Sequence, residues 1–446
     1  MKNMNTCPGI DRTRRAVSPL TVGVALTVLL AACSASSGPA STGAPLTIAA
    51  VAPFSGGDAG FGVHEAASCL SAVTIINASG GVLGHQLRCL TVDTKGDPAD
   101  AVPVVEKTLA TTSNILGILG PTSDEASAIA PILEAAKLPF ICSTGQSIFD
   151  KTNLQFFYRM VPPDALGGAA MALWAYHEGL TRVAIVSGND IGSEGSVPPI
   201  KSTLAKLGSP SLVATQILPL DASSYNTEVS RLINAHPQAI LIELDPQSAA
   251  TYFSELKQQL GSSPFPSIIG ADPILIADWY KTVAAAIGGN LVQTKVVAEV
   301  NAGVTSGGTW QAFDTAMLDA AKSNPKIAPY TSNAGVEAGY DFVNLVALAA
   351  IQTKSTDTAV LNKEIVNLAN GTSGAVDVFT FPQGERAIAA GKSIHYVGVT
   401  GPISFNQWHN SSAGLQMERF DTSGLDAAVP GSRQALGQLL AQYYSS

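Results

Sequence analysis

Charge is scarce in this chain. Asp, Glu, Lys and Arg supply only 13 % of its 446 residues against 46 % hydrophobic ones, a balance that excludes intrinsic disorder. Beyond Arg15 there is no run of Lys or Arg, and the formal net charge is −9, so no electrostatic argument favours a nucleic-acid partner. The five cysteines include no C-x-x-C pair, and nothing has the ligand spacing of a zinc site, so no metal is expected. Six histidines and many serines are present, yet there is no G-x-S-x-G elbow and no H-E-x-x-H helix. The loop Gly57-Asp58-Ala59-Gly60-Phe61-Gly62 lies between a strand and a helix, as a phosphate loop would. Val63-His64 stands where Lys-Ser/Thr is required, and Glu65 where the last glycine of a dinucleotide fingerprint belongs. His64 and His85 are read as loop and helix-surface residues. These absences point away from an enzyme and from any cofactor. No stretch after Phe405 reads as a membrane span, which argues against a receptor in one chain.

What is present begins with a leader. Lys2, Arg12, Arg14 and Arg15 form a basic start, and the apolar run 20–32 is well short of the roughly 20 residues that span a bilayer, so residues 1–32 read as a secretion signal. Leu30-Ala31-Ala32-Cys33 resembles a bacterial lipobox, which implies lipidation of Cys33 and attachment to the outside of the cell membrane. The Arg14-Arg15 pair leaves twin-arginine export open. Residues 33–45, rich in Ser, Gly and Ala, read as a flexible tether. Export permits a disulfide, and Cys69 on the first helix pairs with Cys89 on the second strand if their side chains face each other. Cys142, inside an apolar strand, reads as a small core residue.

From Leu46 onward short apolar strands alternate with amphipathic helical segments, the pattern of a parallel α/β sheet covered on both faces. The organising stretch is 115–147: an apolar strand, a helix opened by Thr122 and Glu125 at capping-box spacing, and a second strand that ends in Ser143-Thr144-Gly145-Gln146-Ser147. Two parallel strands discharging at one edge would bring Ser123, Thr144 and Gln146 together at a helix N-terminus, a place suited to a small anion. After Val161-Pro162-Pro163 the alternation restarts, which predicts a second α/β lobe. A strand is expected over 290–297. Helices follow near 310–323 and 336–351 without a strand between them, as if the chain returned to the first lobe. Trp279, Trp310, Tyr340 and Trp408 are read as core or rim.

The successive segments LTIAAVAPFSG, IINASGGVLGHQL, DTKGDPADAV, ILGPTS, LPFICST, VAIVSGNDIG and VTGPISF resemble, in order, the landmarks of the type I periplasmic binding proteins, with the leucine/isoleucine/valine-binding group of ABC importers nearest. The resemblance implies two Rossmann-like lobes joined by a three-crossover hinge, residues 46–161 with 298–399 and residues 163–296 with 402–446. It also implies a small ligand, an amino acid or related amide, held in the cleft of a monomer and passed to permease and ATPase subunits. A ligand-sensing ectodomain working with a membrane signalling partner is the alternative, and an enzyme on the same fold a second one. Matched position by position, the family pattern assigns the ligand's carboxylate to Ser123, Thr144 and Gln146, cover of its side chain to Phe61, and its ammonium to Asp272. Ile191 stands where the family often has tyrosine, and Gln146 where it often has a hydroxyl residue. The stretch 371–392 has no counterpart and is expected to be a surface insertion.

Overall fold

The computed structural model describes residues 43–411 and 414–445. The leader, Cys33 and most of the tether lie outside the described residues.

Fifteen strands form three sheets among the described residues. The first holds β1 (Leu46–Ala52), β2 (Leu87–Asp93), β3 (Ile115–Thr122), β4 (Phe140–Ser143) and β5 (Phe157–Tyr158), all parallel, in the order β2-β1-β3-β4-β5. Every residue of β1 is buried because helices cover both faces, which is why LTIAAVA reads as a continuous apolar run rather than an alternating one. Ile48 packs toward helix α1 (Ala59–Ala78) and the helix Ala334–Thr353, whereas Ala49 and Val51 pack toward α2 (Pro98–Thr111) and α3 (Ser123–Ala135). Both α1 and Ala334–Thr353 are long and apolar enough to cross a membrane, and both are largely buried in this lobe. Cys69 of α1 and Cys89 of β2 are bridged with their Cα atoms 6.0 Å apart, and Cys142 is a buried free thiol.

The second sheet collects β6 (Arg182–Gly188), β7 (Ser211–Leu218), β8 (Ala239–Glu243), β9 (Ser267–Gly270) and β10 (Val296–Asn301) as parallel strands. Its order is β15-β14-β10-β9-β8-β6-β7. A small third sheet, β11 (Val376–Val378), β12 (Ile394–Gly398) and β13 (Gly401–Pro402), sits with the first lobe, and β14 (Leu415–Phe420) and β15 (Asp426–Ala428) close the second by antiparallel pairing. One face of this lobe is covered by α4 (Asp164–His177), whose Ala170 and Trp174 meet Val183 and Ile185 of β6.

Three expectations from the sequence need correction. Residues 290–297 are not a strand: Gly289–Lys295 is helical and β10 starts only at Val296, because a short apolar run carries no reliable period of its own. The second crossing therefore falls after Asn301, not at 296–298, and the third lies between Asn410, bridged to Arg159 of the first lobe, and Leu415, not at 399–402. Val399–Pro402 is instead a hairpin end within the first lobe. Finally, 371–392 is no surface insertion. It forms β11 and the helix Phe381–Ala389, with Phe381 fully buried and Gly384 close against Leu348.

Candidate functional site

In each sheet the strand order reverses once among its parallel members, between β1 and β3 in the first and between β6 and β8 in the second. Connections leaving neighbouring strands at such a point go to opposite faces and open a crevice at the carboxyl edge. Here the two edges face each other. Phe61 follows β1, Ser123 follows β3, Gly192 follows β6, Glu243 ends β8, Asp272 follows β9 and Glu299 lies on β10, and all six line one cavity. A second hollow abuts it, sharing Phe61, Ser123, Ser143, Gly192, Glu243, Pro273 and Ile276.

The lobes are closed on this cleft. Asp124 Oδ1 accepts from the Gly192 N–H at 3.0 Å, and the Asn333 amide donates to the Leu275 carbonyl at 3.1 Å. The Gly145 carbonyl accepts from the Asp164 N–H at 2.8 Å at the entry to the second lobe. A Cβ placed on Gly192 would come within 3.2 Å of the Ser123 Cβ, a tight contact that a larger residue could make only if Ser123 gave way.

Of the residues assigned from the sequence, Phe61, Ser123 and Asp272 line the cavity together. Thr144, Gln146 and Ile191 do not. Thr144 is buried behind Ser123 and accepts from its hydroxyl at 3.1 Å, while the Gln146 amide donates to the Ser123 carbonyl at 2.6 Å. Gln146 and the exposed Ile191 border a separate outer hollow. The capping box is also rearranged. Thr122 Oγ1 donates to Glu125 Oε2 at 3.0 Å instead of accepting from the first turn, and Thr94 Oγ1 donates to the other oxygen at 2.8 Å.

The cavity's chemistry lies mostly in residues that sequence reasoning passed over. Its walls include Asp164, Glu243, Asp272 and Glu299, and the second hollow adds Asp58, Asp124, Asp190 and Asp245. Neither contains a Lys or Arg. His64, expected at a loop or helix surface, is 7 % exposed and lines the cavity, and its Nε2 has no hydrogen-bond partner. Glu299 is 3 % exposed, with Oε2 likewise unpartnered.

Burial disfavours charge on these carboxyls. It pushes Asp272 up to about 6, against the pull of His64, and Asp164 up to about 6, against the pull of Arg159. Asp58 rises to about 7, first through burial and then through Asp124, Asp190 and Asp245. Glu243 and Glu299 are held well above the usual carboxylate range, chiefly by burial. A signal existed for part of this set, since Asp58, Asp190, Asp245 and Asp272 all stand in loops that follow predicted strands. For Glu299 there was none: it sits inside a strand whose register only the sheet reveals.

A family model described as "Periplasmic binding protein" matches residues 45–411, and the chain belongs to that family. Its members are small-molecule-binding components of ABC-type transporters that work outside the cytoplasm. A search of curated proteins returns no match. Among solved structures the chain is similar to the branched-chain amino acid transporter substrate-binding protein LivJ from Streptococcus pneumoniae in complex with isoleucine, at 18 % identity, over 86 % of this chain and 98 % of that one, TM-score 0.67. A leucine-binding protein LivK from Thermotoga maritima aligns at 19 % identity over 86 % and 97 % of the two chains, TM-score 0.65. A solute-binding protein from R. palustris in complex with 4-hydroxybenzoate aligns at 15 % identity over 86 % and 95 %, TM-score 0.65. At these identities the likeness establishes the fold, a type I periplasmic binding protein.

Proposed function

We propose that this protein captures a small amine-bearing solute in the cleft between its lobes, by hinge closure, and delivers it to the permease and ATPase of an importer from a lipid anchor at Cys33. The observation that carries the reading is the cavity between two carboxyl sheet edges, with Ser123 and Phe61 on one side and Asp272 and Glu299 on the other. Neither lobe alone surrounds a guest there, so occupation favours closure. Asp272 is the residue assigned to the amino group. A guest that carries an amino group is supported by the likeness to the isoleucine-bound LivJ.

A thermal-shift screen against amino acids, amides, aromatic acids and amines tests the reading, because a solute that binds only the folded form raises its melting temperature. One class is expected to stabilise the protein. Asp272→Asn should then weaken that solute by about 2–5 kcal/mol, the cost of truncating one partner of an enclosed charge pair, or about thirtyfold to several thousandfold by titration. Equal affinities would remove Asp272 from the site, and indifference to every class would remove the function.

A further inference from the structure

Resting on the solute-capture reading, we propose that the guest is an unbranched aliphatic di- or polyamine that carries no carboxylate, with one ammonium held by Glu299 and Asp272 and another by Asp58 and Asp245.

Carboxyl groups sit in both hollows: Asp164, Asp272 and Glu299 in the inner one, Asp58, Asp124 and Asp245 in the outer one, with Glu243 common to both. The lining they share sets the apolar Phe61, Pro273 and Ile276 beside Ser123, Ser143, Gly192 and Glu243. Acids in both hollows with apolar side chains in their common wall suit a chain of methylenes that carries a cationic nitrogen at each end. Phe61 also offers an aromatic face to a passing ammonium.

A ligand carboxylate, by contrast, finds His64 Nε2 free but few other donors. Ser123 gives its hydroxyl hydrogen to Thr144, and Ser143 gives its own to Glu65 at 2.7 Å. The Gly192 N–H is taken by Asp124, and the Asn333 amide by Leu275. Asp124 lies in the first turn of α3, where the helix dipole would otherwise welcome an anion.

Independent of the acid count, the site holds unpartnered atoms. Glu299 Oε2 is buried in the cavity wall without a hydrogen bond, a position that costs free energy unless a donor arrives. Asp245 Oδ2 in the outer hollow is in the same condition. Both oxygens can only accept when ionised, and an ammonium brings up to three donors. A bound metal ion is the other cationic candidate, but among the described residues no three His, Cys, Asp or Glu side chains converge in a way that could hold one.

Titration calorimetry on the full-length chain tests this with spermidine, 1,4-diaminobutane, leucine, acetamide, benzoate and calcium chloride. At least one of the two amines should bind tenfold or more tightly than leucine, and its binding should release protons, seen as a heat that depends on the buffer. Glu299→Gln and, at the less buried end, Asp58→Asn should each weaken the amine tenfold or more. The second variant keeps the test valid if the first does not fold. Tighter binding of leucine, acetamide or benzoate than of either amine overturns the polyamine assignment while leaving solute capture standing. Calcium binding that excludes the amines overturns it as well. Silence toward every solute overturns both readings.

Discussion

Arg159 shows how a single buried charge holds the entry to the second lobe. The residue is 1 % exposed, its Nη2 meets Asp150 Oδ1 at 2.6 Å, and its Nη1 donates to the Gln146 carbonyl at 3.2 Å. Such a pair adds little beyond an apolar substitute, but removing one partner leaves a charge stranded. Asp150→Ala is expected to cost about 3 kcal/mol, the low end for a broken buried pair because Asp150 is partly exposed, measured by urea unfolding. The acids of the cleft contrast with Glu125, which is fully buried yet satisfied by Thr94 and Thr122. Glu125 belongs to the frame, whereas Glu299 keeps an oxygen without a partner. Phe61, Ser123 and Asp272, residues that the sequence pattern marks, all line the cavity. The pattern does not separate Thr144 from them, because whether a hydroxyl faces a ligand or a neighbour depends on side-chain direction, and Thr144 turns to Ser123.

Among the elements, β1 and α1 form the frame on which the first glycine-rich loop is hung. The bridge from Cys69 to Cys89 ties α1 to β2 across a separation of 20 residues. In the loop-entropy account a closed loop of that length contributes about 3 kcal/mol, so the double variant Cys69→Ser, Cys89→Ser should lose roughly that much in guanidinium unfolding. Helix α3 is organised differently from its sequence pattern. Its first-turn hydroxyl is spent on Glu125, and its Asp124 reaches over to Gly192 of the other lobe. The helix Gly289–Lys295 and strand β10 share a segment that looked like one strand. Val292 and Val296 are both buried, and such spacing suits either element until Gly288 ends the preceding helix at φ 95°.

For the whole molecule, closure and pH are linked through the same carboxyls. Asp124 and Gly192 join the lobes by a charge-assisted bond, of the kind that contributes about 1.5–3 kcal/mol. Asp124→Ala should therefore speed solute release about 10- to 150-fold in stopped-flow measurements, with a larger radius of gyration in X-ray scattering. Asp58, facing Asp124, Asp190, Asp245 and Glu125, is raised to about 7, and Asp164 and Asp272 to about 6. Groups raised in this way hold protons that the unfolded chain has released. Their stabilisation is complete below the ordinary carboxylate range and is lost as pH climbs through 6 and 7. The solute-free protein is expected to melt at a lower temperature at pH 8 than at pH 5. Asp58→Asn should flatten that slope.

The alternation of strands with helices, the parallel sheets and the two-lobed plan were set by the sequence alone, since a strand covered on both faces must be apolar throughout and a covering helix must repeat every three to four residues. The resemblance to a binding-protein family was legible for the same reason, as its landmarks are loops that end buried strands. Only the tertiary structure decided where the chain crosses between lobes, that His64 and Glu299 open into a cavity, and that eight carboxyls gather there without a Lys or Arg. Those residues stand between positions 58 and 299 and on opposite lobes. Their common environment comes from lobe closure, which brings together groups that no local pattern relates.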